Sequence, residues 1–377
     1  MNRADTSLAA GVTARVLRDT FSAEDSSEWS PHGSGGTWRR RQTDSILRRH
    51  GAEPVNLEPP PASSVPARLF RALLLKRRFG SAIQWRRRSL GQAEYSYRFY
   101  GHNARRPGLC RVALLESGSD PIAGAALKDE GFRVVAVLSA INSLWRSRPN
   151  DVTGPYPRMF LTETRALAKL DAVFCISREE QWLLNNVGIP ANYLPYFPDE
   201  ARAKAFMAER ETRQRPSAFG PREFMICASR GNSDTVNAFR DQARWICQAV
   251  SEGDAIFHVT GHQTEPIKDI WLDKRFVFHG TCSDEEFQAV KQGCVAICLH
   301  QREGIGALTR IPDMILSGLA VIANGPAARS FIDLPGVHVY DTPGKFRELL
   351  QAALPMPPLP QRPVELEDAF FAALRLQ

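Results

Sequence analysis

Long apolar runs are missing from this 377-residue chain. No stretch approaches the roughly 18 to 20 apolar residues that a helix needs to cross a bilayer. The first residues, MNRADTSLAAGVTARVLRD, hold no apolar core of signal-peptide length. The expectation is a cytoplasmic protein. Paired cysteines are missing as well. Cys110, Cys175, Cys227, Cys247, Cys282, Cys294 and Cys298 are odd in number, form no CxxC pair and fall mostly in strand-like runs or on helix faces. That usage favours reduced core thiols over disulfides or zinc. The length argues against one ordinary domain and suits two.

Acidic residues are scarce in one region. The net charge of +7 is uneven, because residues 68–106 hold ten arginines and one lysine against a single acid, Glu94. The rest of the chain is slightly acidic. The same segment carries Leu69, Phe70, Leu73, Leu74, Phe79, Ile83 and Trp85. It suits an anionic membrane face, and it equally suits a helix pair whose arginines form a solvated face. Nucleic acid is the weakest partner, since no recognised binding motif accompanies the charge.

What is present is an alternation of strand and helix signals. Residues 1–10 read as a disordered tail, and 12–21 give a weak strand signal. A polar loop ending at Gly35 and Gly36 follows, then a helix over 37–50 closed by Gly51 and a strand over 53–58 ended by prolines. From residue 111 the alternation is regular, with strands at 111–116, 133–139 and 172–177. Helices start at Pro121, behind an Asp120 N-cap, and cover 158–170 and 178–187. The pattern lapses over 189–222, which reads as a connection with one short helix. A second series has strands at 223–229, 255–260, 276–279, 295–300, 319–323 and 337–340. Its first helix places Val236, Phe239, Ala243, Ile246, Cys247 and Val250 on one face. Ser283 and Glu286 form a capping-box pattern, and an amphipathic helix covers 364–376.

Such alternation predicts two doubly wound α/β domains with parallel sheets, 11–197 and 198–355. The segment 356–377 is expected to pack back on the first, because a lone amphipathic helix needs a surface for its apolar face.

The stretch 296–325, AICLHQREGIGALTRIPDMILSGLAVIANG, organises the second series. It reads as strand, loop, helix and strand, with Thr309 as N-cap, Pro312 in the first turn and Gly318 as the stop. The loop therefore lies at the carboxyl end of a parallel strand, where ligands bind in open sheets. Gly304 and Gly306 expose backbone amides, and the helix start adds partial positive charge suited to phosphate. Glu303 is an acceptor-only carboxylate beside them, suited to a sugar or ribose diol. Taken alone, EGIG is equally a simple turn.

Two αβ series with a late ligand loop resemble the GT-B glycosyltransferases, in particular retaining family 4, also called group 1. The likeness spans nearly the whole chain and is best over 276–324 and 171–197. It implies two Rossmann-like domains facing a cleft, a C-terminal helix crossing back, a nucleotide diphosphate sugar as donor, and no cofactor or metal ion. It places Glu303 on the donor sugar, Asp313 on the ribose and Arg230 on the phosphates. Gly304, Ile305, Gly306, Ala307, Leu308, Thr309 and Gly261 line the donor side, and Gly35, Gly36, Ser139 and Asn142 the acceptor side.

Three departures stand out. Nine residues rather than seven separate Glu303 from Asp313, Thr235 occupies the position of the family's lysine, and Ser139 or Ala140 that of its histidine. Arg310 is the candidate replacement cation for a leaving group that develops negative charge. His300 and Glu116 also sit at strand ends, where a structural role is the safer reading. The resemblance implies hexosyl transfer to a glycan, lipid-linked or small-molecule acceptor in polysaccharide or glycoconjugate assembly. A nucleotide-sugar epimerase and a catalytically weakened binding protein of the same architecture stand as alternatives.

Overall fold

The computed structural model describes residues 13–18, 35–61, 65–79, 87–116, 121–141, 143–144, 156–213, 222–228, 233–261, 273–301 and 306–376. Two compact units account for the chain. One comprises Met1–Ser26, Thr43–Pro195 and Pro363–Gln377, the other Ser27–Gln42 and Tyr196–Arg362.

The elements of the first half are β1 (Ala14–Arg18), α1 (Gly35–Arg49), β2 (Ala52–Val55), α2 (Val65–Phe79), α3 (Arg87–Ala104), β3 (Val112–Leu115), α4 (Pro121–Asp129), β4 (Arg133–Leu138), α5 (Tyr156–Leu167), β5 (Ala172–Cys175), α6 (Arg178–Asn186) and β6 (Ala191–Tyr193). After α7 (Glu200–Thr212) come β7 (Arg222–Cys227), α8 (Ser233–Ala249), β8 (Ala255–Thr260), β9 (Phe276–Gly280), α9 (Asp284–Lys291), β10 (Val295–Cys298), α10 (Arg310–Leu316), β11 (Val321–Asn324), α11 (Gly325–Ala328), β12 (Val337–Tyr340), α12 (Pro343–Gln351) and α13 (Val364–Leu374).

The first unit holds a six-stranded sheet in the order β2-β1-β3-β4-β5-β6, parallel at every pairing. Helices cover both faces, so its central strands β3 (VALL) and β5 (AVFC) are wholly apolar, as is β4 after Arg133. In β3, Val112 and Leu114 join one core with Val135, Val137 and Phe174, while Ala113 and Leu115 join another with Val134 and Ala126. The two-residue period of a strand makes that split. Helix α13 closes the first core with Phe370 and Leu374. Phe370 meets Phe174 edge-on at 5.1 Å between ring centres, and Arg49 pairs with the buried Glu367 at 2.8 Å. Burying each of those two apolar side chains is worth about 1.5–3 kcal/mol, which is why the helix docks.

The second unit holds a sheet in the order β12-β11-β10-β7-β8-β9, also wholly parallel. The chain starts at β7, builds outward to β9, then returns to β10 on the other side. That reversal between β7 and β10 is the switch point of a doubly wound sheet, where the helices on either side diverge and leave room at the strands' carboxyl ends.

Most expected elements are present with ends shifted by a few residues, and two readings change. The stretch 189–222 contains β6 as well as α7. Three residues beside Pro190 and Pro195 are too few to show a period, and the pairing of Ala191 with Val173 is what makes them a strand. Thr309 does not cap α10. Its backbone is already helical (φ −56, ψ −25) and its side chain makes no capping hydrogen bond, because a cap needs an extended backbone to turn its oxygen onto the first amides. The stop at Gly318 (φ 83) and the capping box of Ser283 and Glu286 are both present. Asp120, Phe79's side chain, Ile83, Trp85 and the tail 1–10 lie outside the described residues.

Candidate functional site

Of the residues singled out by sequence, the carboxyl edge of the second sheet holds, among those described, Gly261, His300, Gly306, Ala307, Leu308, Thr309 and Arg310. Strand β10 continues through the buried Leu299 and His300 to Gln301. Asn324 at the end of β11 holds that extension like a further strand residue. Its Oδ1 accepts from His300 N at 3.1 Å and its Nδ2 donates to His300 O at 2.8 Å. On the other side, Gln301 N donates to Asp234 O at 3.1 Å, and His300 Nε2 lies 4.0 Å from Asp234 Oδ2. Asp234 and Thr235 are buried in the first turn of α8. The start of this 17-residue helix, with its partial positive charge, thus stands at the switch point.

Arg310, the first residue of α10, reaches into the same corner. It is partly buried, donating from Nη1 to Cys227 O at 2.5 Å and from Nη2 to Thr235 Oγ1 at 2.8 Å. Thr235 fills the position where the resemblance expects a lysine, so a guanidinium from another helix lies against that position. A guanidinium carries five N–H donors, and these two bonds fix its plane. Burial raises the Cys298 thiol at this edge to about 12, which leaves it a neutral core group rather than a nucleophile.

Residues 306–309 lead into α10. Gly306 has φ 57, a left-handed conformation that suits glycine, and its carbonyl accepts from Arg329 Nε at 2.9 Å. Arg329 is buried, and it also donates from Nη1 to Pro326 O; nothing in its sequence context marks its reach to Gly306, a backbone carbonyl 23 residues away. Ala307 and Leu308 pack partly against the core of the β10 side, and Thr309 is buried. Gly261 follows β8 at the same edge with φ 141, donating to Gly280 O at 3.0 Å. Arg230, Glu303, Gly304 and Ile305 lie outside the described residues.

Asp313 is turned inward. Its Oδ2 accepts from Arg202 Nη2 at 2.9 Å and its Oδ1 from the Tyr196 hydroxyl at 3.2 Å. The Arg202 guanidinium also stacks on Trp38, 3.6 Å from the ring centre, and on Phe206 at 4.7 Å. Burial pushes the Asp313 carboxyl up against the opposing pull of Arg202, and burial raises the Tyr196 phenol with the Asp313 charge adding to it. The position expected to hold a ribose therefore carries a buried ion pair, with both oxygens already engaged.

On the first sheet, Gly35 and Gly36 open helix α1 rather than ending a loop. Ser139 and Ala140 follow β4 and are half-buried, and Asn142 lies outside the described residues. The neighbouring amides meet carboxylates: Ile141 N donates to Glu180 Oε1 at 2.8 Å and Ser143 N to Glu163 Oε2 at 2.7 Å. Both glutamates are buried. Sequence reading missed them because each lies on a helix among polar neighbours that read as surface. Glu116, half-buried, follows β3.

Two six-stranded parallel sheets with interleaved helices are the two Rossmann-like halves of a GT-B fold, and the chain adopts that fold. Among solved structures it is similar to sucrose-phosphate synthase from Thermosynechococcus elongatus, with 12% identity, 90% of this chain and 89% of that one covered, and a TM-score of 0.57. It is similar to WaaG, a glycosyltransferase involved in lipopolysaccharide biosynthesis, with 11% identity, coverage of 96% and 94%, and a TM-score of 0.52. A trehalose-6-phosphate structure from E. coli bound with UDP-2-fluoro glucose matches with 10% identity, coverage of 96% and 94%, and a TM-score of 0.53. No family model and no curated protein matches the sequence. At these identities the likeness is one of fold.

Proposed function

We propose that the chain is a glycosyltransferase that moves a sugar, of hexose type, from a nucleoside diphosphate donor to a glycan, lipid-linked or small-molecule acceptor. The observation that carries the reading is Arg310 bonded to Thr235 and Cys227 at the switch point. Departure of a diphosphate concentrates negative charge on its oxygens, and a cation already fixed in place stabilises it without reorganisation. In this reading Arg310 and Arg230 take up the leaving group's charge, the α8 amino end and the 304–308 loop supply amides, and Glu303 grips sugar hydroxyls. The protein cations neutralise the charge, so no metal ion is required for transfer. The UDP-2-fluoro glucose bound to the E. coli neighbour supports a donor of this chemical class, and the resemblance to family 4 supports retention at the anomeric carbon.

We further propose that the enzyme works in the cytoplasm on an acceptor at an anionic membrane surface. None of the described helices is long and apolar enough to cross a membrane. Helix α2 nevertheless exposes Leu69, Phe70, Leu73 and Leu74, each half or more accessible, while Ala72 and Leu75 face inward. An exposed apolar stripe beside Arg77 suits the interface of an anionic bilayer. Part of the basic segment serves structure instead: Arg105 pairs with Glu130, and Arg106 with Glu58 at 2.7 Å. Replacing Phe70 and Leu73 by Ser is expected to lower sedimentation with anionic vesicles, and unchanged sedimentation would leave α2 a solvated face.

The activity test incubates the purified chain with a panel of nucleoside diphosphate sugars and follows nucleoside diphosphate release with and without candidate acceptors. Release that depends on an acceptor supports transfer. A changed sugar from donor alone points to an epimerase, and binding with no turnover points to a binding protein.

A further inference from the structure

Beyond the proposed donor site, a second cluster lies at the opposite end of the same strands. Glu223 is the second residue of β7, and Cys294 immediately precedes β10. Because Val295 pairs with Phe224, Cys294 falls level with Glu223 on the neighbouring strand. His258 of β8 pairs with Met225, two residues further along β7 and so on the same sheet face as Glu223. Three adjacent strands thus present a carboxylate, an imidazole and a thiol to one spot, with ligating atoms within 4.8 Å of one another. Among the described residues this is the one such group found.

Two further observations point to an ion. His258 Nδ1 lies 2.8 Å from His279 Nε2, which holds the ring's orientation; with Nδ1 donating, Nε2 is left as the lone-pair nitrogen, the arrangement an outer partner gives a metal-bound histidine. The other nitrogen, Nε2, is buried without a hydrogen-bond partner among the described residues, 3.9 Å from Glu223 Oε2. Gly293 contributes by what it lacks, since a Cβ there would come within 3.2 Å of that same carboxylate oxygen.

We infer that Glu223, His258 and Cys294 bind a zinc-type divalent ion, with His279 as the positioning residue behind His258. The donor set is mixed sulfur, nitrogen and oxygen, which suits zinc and disfavours magnesium or calcium. Tetrahedral coordination at zinc bond lengths needs ligand separations of about 3.3–3.8 Å, so the ligands must close in by about 1 Å. The Glu223 side chain, 43% exposed, has the freedom to do so. Three protein ligands leave a fourth position for water. On binding, the buried Cys294 thiol gives up its hydrogen bond to Val290 O, 2.9 Å in the free chain, its proton passes to solvent and the sulfur lone pair goes to the metal. The site lies at the amino ends of the strands and rests on none of the residues proposed for transfer.

The test uses the full chain, stripped of metals with a chelator and titrated with Co²⁺ alone, then with Zn²⁺. One equivalent of Co²⁺ is expected to give a thiolate-to-cobalt charge-transfer band with tetrahedral ligand-field absorption, displaced by Zn²⁺. Cys294→Ser should abolish the charge-transfer band. Glu223→Gln, at an exposed position that folding tolerates, should weaken Co²⁺ binding at least tenfold, and His279→Ala tenfold to a hundredfold. Absence of the band in the native chain, its survival in Cys294→Ser, or unchanged affinity in Glu223→Gln would each overturn the assignment.

Discussion

The two sheets share strand number and parallel pairing, but their carboxyl edges are finished differently. After β4 the amides of Ile141 and Ser143 are closed off by the buried carboxylates Glu180 and Glu163. Between β7 and β10 a partly buried cation, Arg310, stands at the end of one strand and the start of a long helix. One edge satisfies its own donors with acids, and the other presents a fixed positive charge. The proposed anion site therefore falls on the second sheet, where the cation stands.

The largest loss of stability is expected inside the second unit. Asp313→Ala leaves Arg202 buried between Trp38 and Phe206 without its carboxylate, and loss of one partner of a buried pair costs about 3–5 kcal/mol. Denaturant melts should show it; a loss below about 1 kcal/mol would mean the pair is solvated. At the first edge, Glu180→Ala removes a charged acceptor from a buried amide, at about 1.5–3 kcal/mol of stability. Affinity for a nucleoside diphosphate should not change, and a tenfold drop there would erase the distinction between the edges. The smallest effect is expected from Thr235→Val, which keeps the shape and removes one of Arg310's anchors, about 1 kcal/mol or roughly fivefold in diphosphate affinity. Thr235→Lys sharpens the point. With Thr235 Oγ1 2.8 Å from the guanidinium, a lysine would displace Arg310 rather than assist it.

Much of this was legible in the sequence because the signals are local. Runs such as VALL, VAIC and VIAN announce strands buried on both faces, and Ser283 with Glu286 or Gly318 act within a single turn. The GT-B fold followed from the order of those elements together with the resemblance. What stayed hidden depends on contacts distant in sequence. Asp313 reads as a ligand-facing acid until Arg202 and Tyr196, more than 100 residues earlier, turn it inward. Thr309 has the residue type of a cap, and only its helical backbone denies it the role. Glu223, His258 and Cys294 share no motif spacing, and sheet register alone brings them together. The absence of CxxC pairs spoke against zinc, but it could not speak for ligands spread over three strands.

Arg310 is the fixed cation of the second edge, and calorimetric titration with a nucleoside diphosphate reads its proposed role directly. The native chain and Glu180→Ala should bind alike, while Arg310→Ala should bind on the order of a hundredfold more weakly with its melting profile otherwise kept. Native affinity in Arg310→Ala would contradict the phosphate assignment, and with it the proposed route to transfer.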